Sequence, residues 1–147
     1  MARSGYSDDC DGNELWLWRG AVKRSMEGKR GQKALREMVV ALDALPEKKL
    51  VSGSFSGVGG YCALGALAKH RDVDVSDLNP KRPESDPYYE DEVDRDVVSV
   101  RFDIAPAMAA EVMYMNDEAG WGETPEHRWF RVRGWAERHI VAESGTG

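Results

Sequence analysis

Apolar residues recur at helical spacing along much of the chain. Leu15, Trp18, Val22 and Met26 set the first stripe, and Trp16 and Leu17 widen it. Asn13 stands where it can cap a helix that begins at Glu14, and Gly28 ends the run. Leu35, Met38, Val39, Leu42 and Leu45 predict a second helix from about Gln32 to Leu45, stopped by Pro46. Lys33, Arg36 and Glu37 fall off that stripe. The four residues Gly28-Lys29-Arg30-Gly31 then read as the turn of an α-hairpin.

The middle of the chain is less periodic. Lys49-Leu50-Val51 suits a short strand, and the Ser- and Gly-rich Ser52 to Gly60 suits a turn or a small hairpin. Tyr61 to His70 is apolar and small, which predicts a buried helix in which Gly65 allows close packing. Ser76 or Asp77 can open a single helical turn before Asn79-Pro80. Pro80, Pro83 and Pro87 mark a loop. Tyr88 to Phe102 fits a helix or a strand by its valines, and the helix is the preferred reading. Pro106 suits a first helical position, and the helix it opens runs to about Asn116. Asn116 to Glu123 forms a loop. Thr124 caps the last helix, with Pro125 first and His127 where a capping box would place Glu. Trp129, Val132, Ala136 and Ile140 form its apolar face. The expected fold is mainly α, a compact bundle of five to six helices with room for one short β-hairpin. Residues 1–12 read as an arm, 13–143 as a single helical domain and 144–147 as a tail.

Chain length and composition agree with one domain: 147 residues with 41% hydrophobic content give a chain long enough to bury a core. No apolar run approaches a membrane span, and the acidic start lacks the pattern of a secretory signal. Two cysteines without such a signal read as reduced thiols in the cytoplasm. Charge is segregated. Residues 1–75 hold 12 bases against 10 acids, and residues 76–147 hold 8 against 16. Seven bases (Arg19, Lys23, Arg24, Lys29, Arg30, Lys33 and Arg36) crowd one short stretch, with Glu27 the single acid among them. Glu84 to Asp96 holds seven acids against Arg95.

These runs are the candidate surfaces. The basic run offers an anion-binding face through Arg19, Lys23, Lys29, Arg30, Lys33 and Arg36. A solvated face, or pairing with the acidic run, is the plainer account. The acidic run sets Tyr88 and Tyr89 beside Glu90, Asp91, Glu92, Asp94 and Asp96. Carboxylates at helical spacing can imitate a phosphate track, and tyrosines supply anchor area, so these seven are the candidate protein-binding residues. A solvated helix start favoured by the macrodipole competes with that reading.

Other motifs weaken on inspection. Gly57-Val58-Gly59-Gly60 precedes a helix, but the dinucleotide fingerprint needs a third glycine where Cys62 stands. Cys62 near a helix N-terminus has the setting of an activated thiol, with His70, His127 or His139 as base. Its apolar neighbours favour burial instead. Neither cysteine has CxxC spacing, and Asp8-Asp9-Cys10-Asp11 lacks the pattern of a calcium loop, so no metal or cofactor is expected. Val97 to Val112 has the look of a helix–turn–helix, but its second helix offers Glu111, Asn116, Asp117 and Glu118 and no Lys or Arg. Of the five tryptophans, Trp121 between two glycines is the one expected at the surface. The chain is read as a non-enzyme.

A set of strings carries a resemblance. Ala2-Arg3-Ser4-Gly5-Tyr6-Ser7-Asp8-Asp9-Cys10-Asp11 opens the chain. Trp18-Arg19-Gly20-Ala21-Val22 and Gly28-Lys29-Arg30-Gly31-Gln32 follow. Residues 41–50 (ALDALPEKKL), Cys62-Ala63-Leu64-Gly65-Ala66, Asn116-Asp117-Glu118 and Glu123-Thr124-Pro125-Glu126 complete it. Together they resemble a family of small, uncharacterised accessory proteins encoded by bacteriophages and prophages of proteobacteria. Residues 81–100 depart from the family pattern. The resemblance implies an accessory protein that binds a host protein and inhibits a bacterial defence system, such as CRISPR immunity. The alternative is a nucleic-acid-binding phage regulator that uses the basic face of the first two helices. No membrane partner is expected.

Overall fold

The computed structural model describes residues 12–52, 55–57, 60–78, 95–118 and 122–142, with the backbone alone for 12–17 and 56–57. Six helices stand in them: α1 (Gly12–Glu27), α2 (Lys29–Ala44), α3 (Ala63–Arg71), α4 (Arg95–Phe102), α5 (Pro106–Asp117) and α6 (Pro125–Arg138). A minimal antiparallel pair joins β1 (Ser56–Gly57) to β2 (Gly60–Tyr61), with Ser56 opposite Tyr61. Ser76–Leu78 forms one 3₁₀ turn. The mainly α bundle and its small hairpin agree with the sequence pattern.

Two helices form the centre. Residues 63–68 of α3 are all buried, and α5 buries Met108, Ala109, Val112 and Met113. α2 packs on α3 and α6, while α5 packs on α1, α3 and α4. The buried residues run from Met26 through Leu35, Leu64 and Phe102 to Trp135 as one core. Phe55 and Phe102 stack within it, ring centroids 6.3 Å apart. Arg71 ties the layers by donating to Glu37 of α2 and to the Phe102 carbonyl at the end of α4.

Several boundaries differ from the pattern, each for a local reason. Lys29 to Gly31 are already helical, so α1 and α2 meet across Gly28 alone. The close approach explains Gly31, where a Cβ would stand 2.0 Å from the Ser25 carbonyl oxygen. Gly12 belongs to α1 and not to an arm. Tyr61 lies in β2 and Cys62 is the N-cap, so α3 begins at Ala63. Lys49-Leu50-Val51 forms no strand. Its Leu50 N–H donates to the Pro125 carbonyl at 3.0 Å and its Val51 N–H to the Tyr61 carbonyl at 2.9 Å. Of the helix expected over 88–102, the part from Arg95 is helical and residues 88–94 lie outside the described residues, as do most of the arm, the tail, Cys10 and Trp121. Thr124 caps α6 as expected, its Oγ1 accepting from the His127 N–H at 3.1 Å. No helix of the described residues is long and apolar enough to cross a membrane.

Candidate binding surface

The one-residue junction between α1 and α2 gathers the basic run at a corner. Arg24 stands in the last turn of α1, and its carbonyl accepts from the Gly28 N–H at 3.1 Å. Lys29 and Arg30 open α2, whose first turn contains no acid. Arg19, Lys23, Arg24, Lys29, Arg30 and Lys33 are all exposed. Arg24 complements the negative end of α1, but the cations on α2 stand at the positive end of their helix. They therefore add to the local positive potential. Arg30 has a long contact to exposed Asp103, 3.4 Å away, which in water compensates little of it.

Arg36 departs from this group. It is half-buried, and its Nη2 donates to the Val141 carbonyl at 3.0 Å, so it fastens the chain after α6 onto α2. Gln32 completes the same seam. Its Nε2 donates to the Met26 and His139 carbonyls, and its Oε1 accepts from the Val141 N–H at 2.7 Å.

Of the acidic candidates, Asp96 is described and stands exposed in the first turn of α4. Tyr88, Tyr89, Glu90, Asp91, Glu92 and Asp94 lie outside the described residues. Arg95 lies over the ring of Trp18, 5.3 Å from its centroid, which joins α4 to α1.

Cys62 serves the backbone. It is 1% exposed, and its Sγ accepts from the Gly65 N–H at 3.3 Å, the geometry of an N-cap. The histidines are placed elsewhere. His70 is exposed two turns further along α3. His127 bonds Glu123 at 2.8 Å, and His139 faces the Trp135 carbonyl at 2.8 Å. Among the described residues, no group of His, Cys, Asp and Glu is arranged to hold a metal ion. The helix–turn–helix look dissolves in the same way, because α5 buries its apolar length between α1, α3 and α4. A helix so enclosed cannot enter a DNA groove.

Two arrangements were not legible in the pattern. Glu123, with a side chain 4% exposed, receives the guanidiniums of Arg131 and Arg128 and the ring of His127. Arg131 Nε donates to its Oε2 at 2.9 Å, whereas Arg128 Nε approaches at 3.4 Å without hydrogen-bond geometry. The Arg131 hydrogen bonds hold the Glu123 carboxyl down at about 2. On the neighbouring surface Arg133 of α6 grips Asp43 of α2 with two bonds of 2.7 and 3.0 Å. That grip lowers the Asp43 pKa and raises that of Arg133. Residues 123, 127, 128 and 131 share a helical spacing, the one signal that could have drawn attention to the first cluster.

No protein-family model, curated protein or solved structure matches the chain.

Proposed function

We propose that the protein acts by binding and not by catalysis, as a phage accessory protein that docks on a host protein and blocks a bacterial defence system. The observation that supports this reading most directly is the basic corner of α1 and α2. It sets six exposed cations around a single-residue junction in a chain of net charge −6. A local field of sign opposite to the whole molecule orients an approaching partner and favours one with an acidic surface. The resemblance to phage-encoded accessory proteins supplies the biological setting.

The test is capture of host proteins by the tagged full-length chain from a proteobacterial lysate, with nuclease treatment and washes at low and high salt. A stoichiometric host protein that survives nuclease is expected. Its loss with the Arg24→Glu, Lys29→Glu, Lys33→Glu triple variant would place the contact at the corner. No such protein, together with no protection against any defence system on expression, would remove this reading.

One observation favours a second reading. The first turn of α2 carries Lys29 and Arg30 and contains no acid, and the positive end of a helix attracts phosphate. A nucleic-acid-binding regulator would bind duplex DNA or RNA at low salt and lose it steeply as salt rises, with a slope of about −0.9 per phosphate neutralised. Fluorescence anisotropy on labelled duplexes separates the two readings.

A further inference from the structure

Two carboxylates stand among the cations of the basic corner, and each occupies a place that its helix disfavours. Glu27 is the exposed last residue of α1, one turn beyond Lys23 and Arg24. Asp103 follows the end of α4, is exposed, and lies 3.4 Å from Arg30. The C-terminal end of a helix carries partial negative charge, so both acids are repelled by the end they adjoin. Asp103 also has a φ of 53°, in the left-handed region that glycine enters without strain. The same turn carries an apolar side chain. Val100 is 81% exposed, and its carbonyl accepts from the Asp103 N–H at 3.3 Å. Helix stability accounts for neither acid, whereas selection at the surface accounts for both.

We infer that the corner selects an acidic protein segment against nucleic acid, with Glu27 and Asp103 as the selecting residues and Val100 as an apolar contact at the rim. This rests on the protein-binding reading above and gives the partner its chemistry. Duplex nucleic acid carries one negative charge for about every 1.7 Å of its length. A backbone laid across Arg24, Lys29 and Arg30 has no gap in that charge. It therefore meets Glu27, three residues from Arg24, and Asp103, in contact with Arg30. Like charges brought together at an interface reject the wrong partner.

A protein places its carboxylates one at a time. It can set them on Arg24, Lys29 and Lys33 and turn a hydroxyl, an amide or a base toward Glu27 and Asp103. Lys29 and Lys33 are four residues apart on α2, about 6 Å along the axis, which is the spacing of acids four residues apart on a partner helix. An apolar residue beside those acids covers Val100, a side chain that offers phosphate nothing. The partner is thus an amphipathic helix with acids along one edge and an apolar residue next to them.

Fluorescence anisotropy of the full chain at low salt tests this with two labelled probes. One is a helical peptide with Glu at every fourth position and leucines beside them; the other is a DNA duplex. The wild type is expected to bind the peptide and to bind the duplex about tenfold more weakly. Glu27→Gln with Asp103→Asn should tighten the duplex about tenfold and the peptide much less. Because both acids oppose their helix ends, that double variant should melt no lower than the wild type. Val100→Ser should weaken the peptide about threefold and leave the duplex unchanged. A wild type that prefers the duplex would overturn the inference, and the protein-binding reading of the corner with it. Equal gains for both probes, binding of neither, a peptide indifferent to Val100→Ser or a double variant that melts well below the wild type would overturn the inference alone. Capture of a host protein from lysate still decides the reading in those cases.

Discussion

The carbonyl oxygen of Phe55 stands where a side chain on Gly65 would begin: a Cβ there would lie 1.6 Å from it. The helix α3 thus packs on the segment before β1 with no space for one carbon. That oxygen also accepts from the Cys62 N–H at 3.4 Å, so the segment is held at both its rings and its backbone. Gly65→Ala should force the two apart and cost roughly 3 kcal/mol or more, in the range of severe overpacking. Gly20→Ala in α1 is the control. Its nearest neighbour is the flexible end of Arg24 at 3.2 Å, so it should stabilise by about 0.5–1 kcal/mol. Urea denaturation of both variants makes the comparison.

Asn116 holds three segments with one amide. Its Oδ1 accepts from the Ala63 N–H at 3.0 Å, at the start of α3. Its Nδ2 donates to the Val51 carbonyl at 2.8 Å and to Asp117. The residue is 1% exposed. Asn116→Leu fills similar space but leaves buried backbone groups without partners. A loss of about 2–4 kcal/mol is expected, since each orphaned group costs about 1–3. Hydrogen exchange should quicken at Ala63 before it does in α2.

Acid should act through Glu123. In the unfolded chain its carboxyl titrates near 4.5, and in the fold it is held at about 2. A depressed pKa gives stability that is complete above 4.5 and is lost as pH falls toward 2. The contribution is on the order of 2–3 kcal/mol. Thermal melts between pH 7 and pH 2 should show this loss, and Glu123→Gln should flatten it. The same variant should be less stable at neutral pH, because it leaves Arg128 and Arg131 half-buried beside a neutral amide.

Cys62 should be inert in the folded protein. Its thiol is enclosed and occupied as a helix cap. Reaction with a thiol reagent should therefore follow unfolding and accelerate with urea. Cys62→Ser keeps an acceptor at the cap and should change stability by less than Cys62→Ala, which should cost about 1 kcal/mol. Rapid labelling of Cys62 under native conditions would contradict the cap.

The local signals in the chain were sufficient for most of its helices, whereas the valines before Phe102 fitted helix and strand alike. Stripes such as Leu35, Met38 and Leu42, stops such as Pro46 and starts such as Thr124-Pro125 act within a few residues of themselves. Neighbouring chemistry alone therefore determined α2, α5 and α6, while the Ser- and Gly-rich stretch from Ser52 to Gly60 admitted a turn or a small hairpin. Tertiary structure decided what each face meets. Val100 and Val98 are the same residue type two positions apart, yet one is 81% exposed and the other fully buried. Which one faces inward depends on where α5 lies. The single-residue junction at Gly28 followed from α2 pressing on Ser25, and the role of Cys62 followed from the hairpin that precedes it. Asp43 meets Arg133 across 90 residues only once α6 has docked. The candidate surfaces divide in the same way. The run of bases was plain in the sequence, but folding made it a corner of exposed cations and diverted Arg36 to Val141. Periodicity records which residues share a face of one helix; the partner across that face is a property of the whole packed chain.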